Sequence, residues 1–151
     1  MKWRKNLADN ISTIAINEFK GNFRQGGWRD GTGVTKWKDR SKKDKNKKKR
    51  ALLVKSGRLK RSLRKASDFN TARVVTDVKY AQIHNEGGKI SGTFDVKLHR
   101  IKKKKGGFAI VKGHSRKVNT TIPERPFMKM GAGLRNDIDK FLSDGINQVF
   151  K

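Results

Sequence analysis

The sequence contains no cysteine, which excludes disulfides, thiolate metal sites and cysteine nucleophiles. It has only two prolines, Pro123 and Pro126, so stiffness imposed by the pyrrolidine ring is confined to one short stretch. Acids are scarce. Thirteen Asp and Glu stand against 39 Lys and Arg, a formal charge of +26 over 151 residues. No run approaches the roughly 18 apolar residues of a membrane span. Asp9, Asn10, Asn17 and Glu18 also interrupt any signal-like apolar core near the start. The hydrophobic set is 33% of the chain, below the usual share, so the expectation is one domain with a small core and segments lying outside it. Such a chain is expected inside a cell, or in an assembly built there, away from membranes.

What is present is positive charge, and it is concentrated. Residues 36–65 hold sixteen Lys and Arg against Asp39 and Asp44, a net of +14. Residues 97–117 hold nine Lys and Arg and no acid. The remainder is close to ordinary. Charge of this size repels itself, which points to a polyanion or an acidic partner. The run Lys42, Lys43, Lys45, Lys47, Lys48, Lys49 and Arg50 reads as a solvated loop that can meet phosphate without folding first. Lys102, Lys103, Lys104 and Lys105, leading into Gly106-Gly107, read as a basic hairpin tip or flexible arm.

Hydrophobic periodicity places the elements. Leu7, Ile11, Ile14, Phe19 and Phe23 predict a helix over 4–23, packed on the core. Residues 24–50 read as irregular, with glycine turns and with Trp28 and Trp37 as anchors to the core; base stacking is the alternative role for the two rings. Ser56 is a plausible N-cap for a short helix through Lys65, with Leu59 and Leu63 inward and Arg58, Lys60, Arg61, Arg64 and Lys65 outward. That helix lacks the Asn/Gln pattern of base reading. Alternation over 72–79 predicts a strand, Tyr80 to Glu86 a turn or two of helix ended by Gly87-Gly88, and 89–98 and 108–112 further strands. Leu134, Ile138, Phe141, Leu142, Ile146 and Val149 predict an amphipathic helix over 133–150 that builds core or interface.

Catalytic signatures are missing. His84, His99 and His114 are scattered, no His-Glu-x-x-His or phosphate-binding glycine loop occurs, and no pair of acids is spaced as an acid/base couple. His84 and Glu86 form a His-x-Glu fragment without the cysteines a nucleotide deaminase needs. The reading is a non-enzyme with no catalytic residue, cofactor or metal, and His84 is expected to be structural.

Four segments, taken in order, resemble the phage virion morphogenesis family, whose members are also described as tail completion or head–tail joining proteins. Trp28, Trp37 and the basic stretch 36–43 resemble its Trp-containing segment and Thr/Lys-rich loop. Residues 52–63 match Ile-Leu-x-x-Ser/Thr-Gly-x-Leu-x-x-Ser-Ile/Leu through Leu52, Leu53, Ser56, Gly57, Leu59, Ser62 and Leu63. Residues 78–88 match Val-x-Tyr-Ala-x-x-His-x-x-Gly-Gly through Tyr80, Ala81, His84, Gly87 and Gly88. Residues 122–128 match Ile-Pro-x-Arg-Pro-Phe-Leu/Met through Pro123, Arg125, Pro126 and Phe127. The set spans about 19–145. Asn85-Glu86 departs from the commoner Gln-Phe and removes an aromatic from that corner.

The resemblance implies an α+β fold, a small antiparallel sheet flanked by an N-terminal helix, a short central helix and a C-terminal amphipathic helix. Long basic loops at about 36–50 and 99–107 belong to the same single domain, 1–151. In that frame the motif residues are scaffold: Ser56-Gly57 starts a helix, Tyr80 and Ile83 pack it, Gly87-Gly88 turns the chain, the prolines aim Phe127 inward, and Arg125 is held by a carboxylate within or between subunits. The implied role is a ring in the neck of a tailed phage, made in the host cytoplasm and kept in the virion. Its partners would be copies of itself, neck proteins on the connector or portal side and on the tail terminator side, and packaged double-stranded DNA. Lys42 to Arg50, Arg58, Arg61 and Lys102 to Lys105 would face DNA or acidic neighbours. Composition alone supports a non-specific nucleic-acid-binding module instead, and a capsid-assembly factor absent from the finished particle is the third reading.

Overall fold

The computed structural model describes residues 6–31, 33–40, 51–104 and 106–149. Among them are four helices and four antiparallel sheets of two strands each, an α+β fold. Helix α1 (Leu7–Gln25) exists because Ser12, Ala15, Ile16, Phe19, Asn22 and Phe23 recur at helical spacing and give it one buried face. It starts later and ends later than the periodicity predicts, stopping where Gly26 takes φ +62° and donates its N–H to Asn22 O. Leu7, Ile11 and Ile14 are only half-buried, so the stripe lies round the helix from where apolar residues alone place it.

The segment expected to be irregular contains a hairpin, β1 (Gly27–Asp30) against β2 (Gly33–Lys36). Trp37 follows it into the core, 5% exposed, with its ring edge-on to Phe23 at 5.8 Å. Phe23 also meets Phe127 at 5.1 Å, and these rings, with Phe19, Leu59, Leu63, Val78 and Leu134, make the centre of the molecule. Trp28 packs at the core's margin, where Lys129 Nζ lies 4.2 Å from its ring centroid.

The central helix is shorter than expected. Helix α2 is Arg58–Arg61, with Gly57 at φ +71° in the N-cap position. Ser56 Oγ only meets the N–H of Arg58 at 3.4 Å, which corrects its expected role as the cap. Ser62 Oγ bonds back to Leu59 O at 2.8 Å, and the chain then leaves as β3 (Arg64–Lys65). Its partner β4 (Val74–Val75) is all that forms of the strand predicted over 72–79. Thr76 Oγ1 accepts the N–H of Val78 and pairs with Ser62 Oγ at 2.6 Å, so side chains take over where the ladder would continue.

Helix α3 (Ala81–Glu86) ends at Gly87, and the chain enters the longest sheet, β5 (Gly88–Val96) against β8 (His114–Ile122). At Gly87, φ is +74° and a Cβ would lie 2.7 Å from the backbone N of Glu124, so only glycine fits. Between β5 and β8 sits a second hairpin, β6 (His99–Lys102) with β7 (Phe108–Val111). The sequence pattern does not predict strands β6 and β8, and β5 ends at Val96, before the predicted 98. Residues 123–131 lead to helix α4 (Ala132–Val149). Leu134 is fully buried, Ile138 packs on the core and Phe141 and Leu142 are half-buried, but Ile146 and Val149 are 48% and 60% exposed, so cover of the predicted apolar face fades towards its end.

Candidate functional site

The motif residues converge on the strap 123–128. Its Phe127 side chain is fully buried. The N–H groups of Phe127 and Met128 both donate to Asn85 Oδ1, at 3.0 and 2.9 Å. The N–H of Arg125 donates to His84 O at 2.9 Å. Trp37 Nε1 donates to Pro126 O at 3.1 Å, and Asn22 Nδ2 to Phe127 O at 3.2 Å. The strap is thus tied to α1, to the Trp37 loop and to α3. Asn85, which in the sequence looks like a departure that weakens this corner, is its hydrogen-bonding centre. A side-chain amide oxygen has two lone pairs, so Asn85 can accept from two backbone donors at once, while the missing aromatic belongs to position 86.

Arg125 is held differently from the expectation. Its guanidinium donates through Nε to Lys38 O at 2.9 Å and through Nη2 to Asp39 O at 3.3 Å, both backbone carbonyls rather than a carboxylate. Burial is the chief cause that lowers its pKa, with the nearby Arg40 charge adding to it. Tyr80 lines a cavity together with Arg58 and Leu59 of the central helix. It is 44% exposed and presents its ring at 84° to His84, with centroids 5.8 Å apart. His84 is half-buried, its Nδ1 is buried with no hydrogen-bond partner, and desolvation followed by the Arg125 charge lowers its pKa.

Arg58, Tyr80, His84 and Arg125 line one cavity of about 710 Å³. Leu52, Leu53, Leu59 and Ile122 supply its apolar surface, and Arg40, Lys55 and Arg58 add positive charge. Arg61 is turned to a local task, donating from Nη2 to Ser56 O at 3.0 Å. Sequence reasoning assigns these residues to separate roles and does not foresee the shared cavity, because it is made by segments distant along the chain.

The other predicted basic surface is an arm. Strands β5 and β8 pair over nine positions from Gly88↔Ile122 to Val96↔His114. Side chains alternate across a strand, so Ile90, Phe94, Val96, Val118 and Ile122 share one face with His114, Arg116 and Thr120, and Lys89, Ser91, Thr93, Asp95, Ser115, Lys117, Asn119 and Thr121 share the other. Phe94 is 51% exposed, and beyond it Phe108 and Ile110 are 66% and 63% exposed. Lys102, Lys103 and Lys104 stand exposed at the tip, where the N–H of Lys103 donates to Gly107 O at 3.0 Å. Lys105 lies outside the described residues, as do Lys42, Lys43, Lys45, Lys47, Lys48, Lys49 and Arg50.

Among the described residues no three His, Cys, Asp or Glu are grouped to hold a metal ion, and no helix is long and apolar enough to cross a membrane. The profile of the phage virion morphogenesis family matches residues 1–149. This chain belongs to that family. No curated protein and no solved structure matches the chain. Membership gives the protein a structural or morphogenetic role in a phage and associates it with the virion; the family is not known as enzymatic.

Proposed function

We propose that the protein is a structural piece of the neck of a tailed phage, joining head to tail or completing the tail as a ring of identical copies. The observation that carries this reading is the β5–β8 arm. Nine residues per strand give a reach of roughly 30 Å. A two-stranded ribbon is marginal in water unless its apolar face is covered. Here Ile90, Val96, Val118 and Ile122 are partly covered, while Phe94 on the same face is left half-exposed on the single chain. Covering Phe94 would contribute about 1–2 kcal/mol, from the usual transfer energy of a large apolar side chain. A neighbouring copy supplies that cover in a head-to-tail contact, which closes into a ring when the rotation allows. The basic tip, Lys102–Lys104, then faces packaged DNA or an acidic neighbour.

Electron microscopy of particles from a phage with this gene disrupted tests the reading. DNA-filled heads beside separate or overgrown tails are expected. Empty or malformed heads would replace it with a capsid-assembly role. Normal infectious particles would overturn it in favour of a nucleic-acid-binding module, which the charge of the arm also suits. In the purified protein, Phe94→Glu is expected to abolish ring-sized species in native mass spectrometry while the monomer stays folded.

A further inference from the structure

We infer that the cleft between residues 51–59, helix α3 and the base of β8 binds an extended acidic segment of a neighbouring protein. Three consecutive strand residues, Thr120, Thr121 and Ile122, line it. Successive side chains point to opposite faces, so a cavity touching all three meets the strand at its edge. The sheet has only β5 and β8, so among the described residues no third strand occupies that edge, and an added backbone can pair there.

The walls select what is added. The lining carries Arg40, Lys55, Arg58 and Arg125 and no Asp or Glu, which favours carboxylates. Leu52, Leu53 and Leu59 offer an apolar floor for alternate side chains of an extended peptide. His84 Nδ1, buried without a partner, is a polar group awaiting one. The volume lies within the roughly 300–1,000 Å³ of ordinary ligand clefts. A nucleic acid fits worse: duplex phosphates cannot reach a floor of leucines, and Tyr80 is the one aromatic in the lining on which a base could stack. With 13 acids against 39 basic residues, this chain is a poor source of the acidic segment, so it comes from another protein. The neck reading identifies that protein only as a virion neighbour; the binding itself is tested on the isolated chain.

Fluorescence anisotropy with a fluorescein-labelled synthetic peptide of alternating Glu and Leu provides the test. Lys55→Glu with Arg58→Glu is expected to weaken binding by at least about tenfold. The same charge change on the arm, Lys97→Glu with Lys117→Glu, is expected to change it by less than about twofold. A peptide of alternating Glu and Ser is expected to bind about tenfold more weakly, since the floor goes unused. Equal loss from both double variants, or equal binding of the Ser peptide, would reduce the effect to general electrostatics and overturn the inference. If the cleft variant fails to fold, nuclear magnetic resonance of the wild-type chain decides. Peptide should shift the His84 imidazole signals and leave those of His99 and His114 in place; unmoved His84 signals would overturn the inference. Displacement of the peptide by an equal concentration of single-stranded DNA would reassign the cleft to nucleic acid. Normal particles in the gene-disruption experiment would remove the neck reading and leave this binding result intact.

Discussion

Single side chains hold the strap in place. Asn85→Ala removes the acceptor from two backbone N–H groups, those of Phe127 and Met128, and each unsatisfied buried donor costs about 1–3 kcal/mol. Urea unfolding is expected to show a fall in stability of at least about 2 kcal/mol for Ala, from the two donors together, and a smaller one for Asn85→Asp, which keeps an acceptor oxygen. Gly131→Ala is expected to cost more than about 2 kcal/mol, since a Cβ there would run into Arg29 O and sit 2.8 Å from the Trp28 ring. That position is invisible in the sequence, because Arg29 and Gly131 approach only through the tertiary fold. His84 gives a pH signature. Its folded pKa is lowered from 6.5, so the unfolded chain binds the proton more readily. Stability is therefore fully present above about pH 6.5 and falls as pH drops through that value towards the folded pKa. Urea midpoints between about pH 7.5 and about pH 5 should fall for the wild type and fall less for His84→Gln. The lowered Asp68 carboxyl, which accepts the N–H groups of Asn70 and Thr71, acts in a separate window below its ordinary 3.8.

Helices are more legible than strands. Both long helices show a continuous apolar period, and the expected ends of α1 and α4 fall within about three residues of the observed ones, as that signal allows. Strand β8 runs His-Ser-Arg-Lys-Val-Asn-Thr-Thr-Ile and has no alternation of apolar and polar residues, because one of its faces meets nothing in the single chain. Strand β6 is likewise His-Arg-Ile-Lys, and only its cross-strand partners Val111 to Phe108 give it a place. The hairpin at 27–36 escapes for another reason: its turn glycines are visible, but its strands are four residues each and carry one apolar residue apiece, Trp28 and Val34. Arg29 in the first of these strands bridges α1 and α4, pairing with Glu18 at 3.1 Å and with Asp137. The Asp137 hydrogen bond is the main cause that raises the Arg29 pKa.

Across the whole molecule, the domain divides its work between a buried half and a charged half. Composition and the ordered motifs are enough to reach the family and the α+β fold. They are not enough for the cavity, whose lining draws on residues from Arg40 to Arg125. The charge on the arm carries a quantitative expectation. Replacing Lys102, Lys103 and Lys104 by Gln should lower the salt dependence of DNA binding by about 0.9 in log–log slope for each phosphate that is no longer neutralised. Titrations across salt concentrations measure it, and an unchanged slope would place the DNA-facing charge elsewhere on the chain.

The strap also sets the order in which the fold can close. Phe127 and Leu134, both fully buried, fill the space beside Phe19, Phe23 and Trp37, yet the ribosome makes them about a hundred residues later than the first of these rings. Until then α1 has β1, β3 and β4 to pack against but neither the strap nor α4, and a helix of this length is marginal alone. A nascent chain that has not reached residue 127 therefore leaves Phe23 without its Phe127 neighbour, and folding waits for the strap before it can become cooperative.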